Sequence, residues 1–430
     1  MATAVFQVER QLFEKQALQW AQQFDEACYF QSNDYRDEYA QIDSLLAVKA
    51  LDSFVSGQTD TFHALEKFRA KHPNRWMPGV FSYDLKNEIE DLTTSFPNRL
   101  DFPEAFFFIP AIVLHFKDNQ VKIEAANPKN IYNDILTSSH TAGEEMIEPE
   151  NIHFKKRMSK PAYVRAFQHL LKHIQQGDIY EVNLCQEFYA EDVTLSPIAV
   201  YQKLNRISPT PFSCFFKIND NYILSASPER FLAKRGDTLI SQPIKGTAPR
   251  GKTMKEDHHI IETLKNSPKE ISENVMIVDL VRNDLTRSAQ KGTVKAEKQL
   301  EVQTFEQVHQ LVSTITCQKK SGISDIEVIR NTFPAGSMTG APKISAMRLC
   351  DRYENSKRGI YAGAVGYFNP EGDFDFNVVI RSLLYNSKKQ YLSFHTGGAI
   401  TIDADPEKEY EECLLKASAI LKTLNAKLVE

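Results

Sequence analysis

The sequence lacks the features that mark secreted, membrane-spanning and thiolate-metal proteins. Its six cysteines are scattered along 430 residues, without a Cys-x-x-Cys pair or a histidine at zinc-ligand spacing, which is typical of reduced thiols in the cytosol. The first eleven residues contain no basic segment followed by an apolar one, so we expect no secretion signal. The longest apolar run, residues 105–116, is far shorter than the roughly 20 residues of a membrane span and contains Pro110. We therefore expect a cytoplasmic protein without membrane contacts, and a buried strand at residues 105–116.

An excess of positive charge is also absent. The formal net charge is -5 and the pI is near 6.2, whereas proteins that bind nucleic acid usually concentrate Lys and Arg. Hydrophobic residues make up 42% of the chain and charged residues 25%, as in ordinary globular proteins. We expect no nucleic-acid partner, and the length allows two or three ordinary domains or one large mixed domain.

No internal repeat, heptad run or low-complexity tract divides the sequence. The clearest seam is the polar stretch at residues 127–160, which separates a weakly patterned front third from a strongly patterned remainder. We place a compositional boundary near residue 150, between an N-terminal region at 1–150 and a second region at 151–430. We expect both regions to pack into the same fold.

Helix and strand signals are clear after the seam. Ser159, with a proline two residues later, predicts the start of a helix that Gly177 ends. Residues 180–188 alternate apolar and polar side chains, which is the period of a half-buried strand. Three more strand-like runs follow, and the last two are joined at residues 236–237 by the Gly-Asp of a hairpin turn.

The last third combines long helices with more strands. Ser267, Pro268 and Glu270 form a capping-box start for a helix that runs to about Arg287, and its apolar middle around Val275 predicts a buried helix. Other helices are expected to open at residues 339–343 and 405–406, with strands at 363–368, 377–384 and 391–395. The pattern predicts an α+β protein, a large mixed fold of antiparallel β-sheets layered with helices.

Lys245 is a candidate nucleophile. It lies where a strand ending at Pro243 meets Gly246 and Thr247, so its amine can project from a strand end while neighbouring backbone approaches a ligand closely. An amine attacks only when it is neutral, so this role requires burial or a cationic neighbour that lowers the lysine pKa. Taken alone, a surface lysine is the more common interpretation.

Glu229 is a candidate general acid. It lies in a turn between two predicted strands, where a carboxyl group can point into a cleft. The alternative is a solvated ion pair with Arg230 or Lys234, which this motif alone favours.

Two acidic pairs suggest a metal site. Glu270 with Glu273, and Glu409 with Glu412, have i,i+3 spacing on predicted helices, so each pair shares a helix face. Four converging carboxylates suit Mg²⁺, which joins protein carboxylates to anionic substrates. The alternative is that acids in first turns only complement the helix dipole.

Two glycine-containing loops are candidate ligand contacts. Residues 336–343 (Gly-Ser-Met-Thr-Gly-Ala-Pro-Lys) offer Thr339 as a helix cap and free N–H groups that can bind a carboxylate, although they lack the Gly-Lys-Ser/Thr of a phosphate loop. Residues 396–399 (Thr-Gly-Gly-Ala) follow a strand and allow a ligand to approach closely. Ordinary capping and a tight turn are the alternatives.

Arg381 and Tyr361 are a candidate carboxylate clamp. Arg381 follows the apolar residues 378–380, and Tyr361 lies in a Gly-Ile-Tyr-Ala-Gly segment. A guanidinium and a phenol together can hold a carboxylate, although each alone is more often part of a structural pair.

The order and joint occurrence of these motifs resemble the chorismate-binding enzymes over about residues 161–424. The resemblance rests on segments at 177–184, 227–231, 243–247, 273–284, 311–313, 336–343, 363–368 and 380–382. The front third matches only around residues 81–85. The resemblance implies the α+β fold of that family, with a chorismate-binding catalytic region at 151–430.

The resemblance also implies roles for the candidate residues. Lys245 would attack C2 of chorismate while Glu229 helps the C4 hydroxyl to leave; ammonia would then add at C4 and expel the lysine, giving 4-amino-4-deoxychorismate. Mg²⁺ would be held by Glu273 and Glu412, with Glu270 and Glu409 binding directly or through water. Substrate contacts would come from Tyr361, Arg381, Thr339, Gly246, Thr247, Gly397, Gly398 and Lys416.

Lys245 is also the residue that distinguishes members of the family. Anthranilate synthases typically have Ala at this position, whereas Pro-Ile-Lys-Gly-Thr is typical of enzymes that aminate C4 for 4-aminobenzoate and folate biosynthesis. Water-adding members usually have a lysine at the position of Glu181, so its absence argues against isochorismate synthesis. Gln310 and Ala399 depart from the family pattern, in which His and Gly are common, and affect fine positioning of the substrate.

The sequence contains no Gly-x-Cys-x-Gly-x-Gln glutaminase motif. Ammonia is therefore expected from solution or from a separate glutaminase subunit, which favours a heterodimer. Anthranilate synthase component I is the alternative activity, and a non-catalytic chorismate-binding subunit is the alternative from another class.

Overall fold

The computed structural model describes residues 1–35, 37–57, 60–138, 152–306 and 308–429. These residues form strands β1 (Ala2–Gln7), β2 (Glu26–Gln31), β3 (Ser44–Val55), β4 (Met77–Phe81), β5 (Ala105–Lys117), β6 (Gln120–Ala125), β7 (His153–Lys156), β8 (Glu181–Ala190), β9 (Phe212–Ile218), β10 (Asn221–Ser227), β11 (Arg230–Arg235), β12 (Thr238–Gln242), β13 (Ile244–Pro249), β14 (Lys295–Thr304), β15 (Val308–Gln318), β16 (Gly340–Ala341), β17 (Ala364–Phe368), β18 (Phe374–Val378), β19 (Ser382–Asn386), β20 (Tyr391–Ile400) and β21 (Lys427–Val429).

The helices of the same residues are α1 (Arg10–Trp20), α2 (Thr61–Lys71), α3 (Lys86–Ile89), α4 (Pro128–Ser138), α5 (Lys160–Gln176), α6 (Pro197–Ile207), α7 (Met254–Lys265), α8 (Pro268–Thr286), α9 (Asp325–Thr332), α10 (Lys343–Tyr353) and α11 (Pro406–Leu424). No helix in the described ranges has the length and apolar character needed to cross a membrane.

The strands form two antiparallel layers that share β5. One layer has the order β1-β6-β5-β3-β2-β9-β10-β19-β20-β8, and β7 and β16 pair with opposite ends of β8. The other layer runs β5-β4-β17-β18-β11-β12-β15, and β13 and β14 also pair with β15. Only β7 and β21 pair in parallel among the described strands. The predicted mixed fold of antiparallel sheets and helices is confirmed.

The core between the two layers contains residues from both sides of the seam. The rings of Phe81 and Phe107, from the front third, lie 5.5 and 6.2 Å from the ring of Phe376. Large rings at these separations bury much apolar area and pack edge to face. The compositional boundary near residue 150 lies outside the described residues.

Local sequence signals located several elements correctly. The Ser159 hydroxyl caps α5 and Gly177, at φ 84°, ends it. The Ser267 hydroxyl accepts a hydrogen bond from the Glu270 backbone at the start of α8, and Asp405 caps α11 in the same way. The hairpin between β11 and β12 and the buried strand β5 are also confirmed.

Three strand predictions were wrong in detail. The run at 377–384 is two strands, β18 and β19, because Arg381 adopts φ 51° and interrupts the ladder. β8 is buried along almost its whole length instead of half-buried, since both of its faces are covered. Residues 396–399 continue β20, paired with β8, and do not form a turn.

Two helix predictions also need correction. α8 is buried on one face only, and Val275 in its middle is 47% exposed. α10 begins after Pro342, so Thr339 does not cap it; the Thr339 hydroxyl instead donates to the Gly336 carbonyl at 2.9 Å.

Candidate active site

A cavity of about 150 Å³ collects most of the candidate residues. Its walls come from β8, β13, β20, α8, α11 and the segments before α10 and between β18 and β19. The candidates that line it are Glu229, Lys245, Gly246, Thr247, Glu270, Glu273, Tyr361, Arg381, Gly397, Glu409, Glu412 and Lys416. Thr339 and Gly398 do not line the cavity: Thr339 is fully buried, and Gly398 lies against Glu409.

Lys245 is presented by an irregularity in β13. The register with β15 shifts between Ile244 and Thr247, and Gly246 adopts φ 94°, a conformation that glycine accepts without strain. The shift turns the lysine side chain inward, so Lys245 is only 8% exposed and its Nζ donates to Glu181 Oε1 at 2.6 Å. The alternative interpretation of Lys245 as a surface lysine is therefore excluded.

The surroundings of Lys245 are anionic. Burial by itself lowers the lysine pKa, but the carboxylates of Glu181, Glu273 and Glu229 outweigh it and raise the pKa above its ordinary value. The expectation of a lowered pKa is therefore wrong for the ligand-free site. In this state Lys245 is an ammonium ion, and it must lose a proton before it can attack.

Glu229 is held in the turn between β10 and β11. It is 4% exposed, and the Ser337 hydroxyl donates to its Oε1 at 2.5 Å. Burial raises the pKa of Glu229 to about 7, although Ser337 and the charges of Lys245 and Arg381 act in the opposite direction. A carboxyl group that is half protonated near neutral pH is suited to general acid catalysis.

The ion pair proposed as the alternative role of Glu229 does not form. Arg230 pairs with Asp37 and Asp375, at 2.5 and 3.0 Å. Lys234 instead pairs with Asp325, at 3.2 Å.

The two acidic pairs face each other across the mouth of the cavity, on α8 and α11. Lys269 Nζ lies 3.2 Å from Glu409 Oε1 and 3.8 Å from Glu273 Oε1, and Lys416 pairs with Glu412 at 2.8 Å. With these lysines between the acids, no three metal-ligating groups in the described ranges converge closely enough to hold an ion.

The acidic side chains nevertheless behave as an incompletely neutralised group. Burial raises the pKa of Glu270 and Glu409, and it raises the pKa of Glu273 to about 7. Glu273 Oε1 is buried and has no hydrogen-bond partner in the part of the chain that the structure describes. Ionised carboxylates in this setting need further positive charge.

Tyr361 and Arg381 lie at the inner end of the cavity. The Tyr361 ring stacks on His395, with centroids 4.9 Å apart, and its hydroxyl contacts Cys185 Sγ at 3.8 Å. The half-buried Arg381 side chain forms no hydrogen bond or ion pair with any described residue, and burial lowers its pKa to about 10. A half-buried guanidinium without a hydrogen bond or ion pair among the described residues is a site for an anionic group.

The glycine-rich strand β20 brings backbone close to other groups. A Cβ on Gly397 would lie 2.6 Å from Cys185 Sγ, and one on Gly398 would lie 2.8 Å from Glu409 Oε2. The Gly397 carbonyl accepts a hydrogen bond from Lys416 Nζ at 2.8 Å. The close approach at Gly397 requires glycine, because a Cβ would also lie 2.7 Å from the Leu184 backbone carbonyl, whereas a Cβ at Gly398 would displace only the end of the Glu409 side chain.

Gln310 and Ala399, the two departures from the family pattern, both line the cavity. The Gln310 amide donates to Thr247 Oγ1 at 3.1 Å, which leaves its buried Oε1 without a partner in the described residues. His309 lies elsewhere, between Thr304 and Asp257.

Sequence reasoning missed two polar groups that contact the candidate catalytic residues. Glu181 and Ser337 lie 64 and 108 positions from their partners Lys245 and Glu229. Glu181 is the first residue of β8, whose alternation had suggested that its polar side chains face solvent. Their burial depends on strand pairing that local patterns do not encode.

A buried ion pair contacts two walls of the cavity, strand β8 and the segment before α10. Glu354 pairs with Arg358 at 2.6 Å and accepts a hydrogen bond from the Cys185 backbone. Arg358 donates to the carbonyls of Met338 and Asn183 at 2.7 and 3.0 Å. Both partners are at most 6% exposed.

A second cavity, of about 300 Å³, lies on the other side of Pro228, which lines both. It is larger, but Lys245, Glu229 and the acidic pairs do not line it. We assign the chemistry to the smaller cavity because the titratable groups converge there.

Comparison with known proteins relates the chain to one family. The sequence profile of the family described as chorismate binding enzyme matches residues 17–422. An aminodeoxychorismate synthase from Streptomyces griseus is 42% identical over 270 residues, which are 63% of this chain but only 37% of that protein. Aminodeoxychorismate synthase component 1 from Escherichia coli (strain K12) is 34% identical over 348 residues, covering 80% of this chain and 76% of that protein.

The fold has known counterparts. The crystal structure of anthranilate synthase component I from Streptococcus pneumoniae TIGR4 superimposes with a TM-score of 0.78 at 24% identity, covering 91% of this chain and 95% of that one. The profile match spans nearly the whole sequence, including the residues that line the smaller cavity. The chain belongs to the chorismate-binding enzyme family.

Proposed function

We propose that this protein catalyses the Mg²⁺-dependent amination of chorismate at C4 to 4-amino-4-deoxychorismate. The observation that carries the proposal is the buried Lys245, which lines one cavity together with a carboxyl group of raised pKa, Glu229. The names of the Streptomyces griseus and Escherichia coli relatives support the same activity. The product belongs to 4-aminobenzoate and folate biosynthesis.

The reaction proceeds through a covalent intermediate on Lys245. Its amine attacks C2 of chorismate, the two ring double bonds shift toward C4, and the C4–O bond breaks. Glu229 donates a proton, so the hydroxyl leaves as water. Ammonia then adds at C4, the double bonds shift back, and the lysine is expelled.

The acidic groups at the mouth of the cavity supply the oxygen ligands that a hard divalent cation requires, although the described side chains do not converge in the ligand-free structure. Glu273 and Glu412 would hold Mg²⁺, with Glu270 and Glu409 binding directly or through water. When bound, the ion supplies positive charge that attracts the ring carboxylate of chorismate. The buried Oε1 of Glu273, which has no hydrogen-bond partner among the described residues, supports binding of a cation there.

Arg381 and Tyr361 bind the second carboxylate, on the enolpyruvyl group. The guanidinium of Arg381 has no hydrogen bond or ion pair in the described ranges, so it can form a two-pronged pair with a carboxylate. The remaining contacts come from the cavity wall at Gly246, Thr247, Gly397 and Lys416.

Ammonia comes from a separate glutaminase subunit, so we propose a heterodimer. The Escherichia coli relative is named component 1, and it matches this chain along most of both lengths. The Streptomyces griseus protein is nearly three times as long as the matched region.

Mass spectrometry tests the covalent step. The protein is incubated with chorismate and Mg²⁺ but no ammonia, beside Lys245→Ala. A chorismate-derived adduct is expected on the wild type only, and equal adducts on both proteins would exclude Lys245 as the nucleophile.

Product analysis with ammonium salt tests the activity. We expect 4-amino-4-deoxychorismate. Direct formation of anthranilate would establish the alternative. A non-catalytic subunit would form neither product.

A further inference from the structure

Glu181 lies directly behind the proposed nucleophile. Its side chain is completely buried and does not line the cavity, so it contacts Lys245 and not the substrate. Lys245 Nζ donates to Glu181 Oε1 at 2.6 Å, whereas Oε2 is buried without a hydrogen-bond partner among the described residues. One oxygen is thus in place to accept the lysine proton.

Glu181 is better placed for this task than the other acids of the site. Glu229 accepts a hydrogen bond from Ser337 and must be protonated to act as the acid at C4. Glu273 belongs to the group that faces Lys269 and Glu409 at the cavity mouth. Glu181 alone forms a direct hydrogen bond with the lysine amine among the described acids.

We infer that Glu181 is the catalytic base that removes a proton from Lys245 and later returns it, an inference that rests on the proposed function. As the proton moves to Glu181 Oε1, the ammonium becomes an amine and forms its bond to C2. The C4–O bond breaks, and Glu229 supplies the proton with which the hydroxyl leaves as water.

The second half of the reaction restores both groups. Ammonia adds at C4, and the C2–N bond breaks, which releases the lysine as a neutral amine. That amine takes back the proton from Glu181, while Glu229 regains its own proton from the new C4 ammonium. The sum is chorismate plus ammonia giving the amine and water, with every side chain returned to its initial state.

The transfer suits a buried pair because no net charge is created. An ammonium and a carboxylate become an amine and a carboxylic acid, so the pair stays neutral in a place where an isolated charge is costly. Loss of the proton to water instead would leave the Glu181 carboxylate buried without its counter-ion.

The rate of adduct formation tests this role. Glu181→Gln keeps the size of the side chain but cannot accept the proton, so adduct formation without ammonia should slow at least about 100-fold, the usual contribution of a general base. Glu187→Gln is the matched control, because Glu187 is a buried carboxylate on the same strand that bonds Arg157 and Tyr391 away from the cavity. The control should keep its rate.

Chemical rescue distinguishes a base from a residue that only shapes the site. In Glu181→Ala, added formate should fill the space and restore adduct formation in a saturable way, and it should not accelerate Glu187→Ala. A Glu181→Gln protein that reacts within about three-fold of the wild type, or an Ala variant that is slow and insensitive to formate, would overturn the assignment. A wild type that forms no adduct would instead refute the proposed function, before any variant is made.

Discussion

Removal of the Ser337 hydroxyl should shift the pH dependence of adduct formation toward higher pH. This direction follows from the proposed role of Glu229 as the acid. Ser337 donates to Glu229 Oε1 and so stabilises the ionised carboxylate, which lowers its pKa. A hydrogen bond to a charged group contributes about 1.5–3 kcal/mol, and about 1.4 kcal/mol corresponds to one pKa unit. In Ser337→Ala the pKa of Glu229 should therefore rise from about 7 by at least about one unit.

The consequence is a relative gain of activity at high pH. General acid catalysis needs the protonated form, which at pH 8 is about a tenth of Glu229 in the wild type and about half in the variant. At pH 6 both proteins are almost fully protonated. The ratio of the variant rate to the wild-type rate should therefore rise about five-fold between pH 6 and pH 8.

The assay is the rate of adduct formation on Lys245, followed by quenching and mass spectrometry without ammonia. Titration of groups common to both proteins cancels in the ratio. Ser241→Ala is the control, because the Ser241 hydroxyl is buried but donates to the Phe231 carbonyl, and its ratio should be independent of pH. A constant or falling ratio for Ser337→Ala would refute the role of Glu229.

Three further perturbations test the rest of the site. Gly398→Ala should weaken Mn²⁺ binding about ten-fold in spin-resonance titrations, because its Cβ would lie 2.8 Å from the side chain of Glu409, a proposed metal ligand, whereas Gly57→Ala, with no atom of the described residues within 4 Å of its Cβ, should not. Arg381→Lys should raise the KM for chorismate at least about ten-fold without changing Tm, since the guanidinium loses its fork geometry but no protein partner. Arg358→Met should destabilise the fold by about 3–5 kcal/mol, and adding Glu354→Met should restore Tm but not kcat/KM if the pair positions the cavity walls.

The sequence predicted those parts of the fold that depend on neighbours along the chain. Ser159, Ser267 and Asp405 cap helices because a hydroxyl or carboxylate next to an apolar period satisfies free backbone N–H groups. The hairpin at Gly236 follows from a glycine with positive φ between two strands. These signals depend only on residues that are close together in the sequence.

Features that depend on contacts distant in sequence could not be predicted in the same way. The alternation in β8 suggested one solvent-exposed face, but both faces are buried: Val182 and Leu184 pack with residues of α5 and α10 on one side, and Cys185 packs in the core cluster that contains Tyr361 on the other. The break at Arg381 carries no turn signal in the sequence, because it arises from one residue at φ 51° whose carbonyl accepts from the Ala226 backbone. Both errors concern segments that line the cavity.

The candidate site, like the fold, could be predicted only in part from the sequence. Residue identities and the resemblance placed Lys245, Glu229 and the acidic pairs together, and all of them line one cavity. The charge state of Lys245 was not predicted correctly, since its pKa depends on Glu181, a residue 64 positions away. The motif identifies the reacting residue, but the groups around that residue determine whether it is protonated.

The protonation states of Glu229 and Lys245 determine which step of the proposed reaction comes first. Burial raises the pKa of Glu229 to about 7, so about half of this acid carries its proton at pH 7, and the surrounding carboxylates keep Lys245 protonated as well. The ligand-free site is thus prepared to expel the hydroxyl but not to attack. Attack requires that one proton leave the lysine inside a closed site, and an acceptor 2.6 Å from the amine makes that transfer possible without solvent. In the proposed mechanism the first step is therefore a proton transfer from Lys245 to Glu181 within a buried pair.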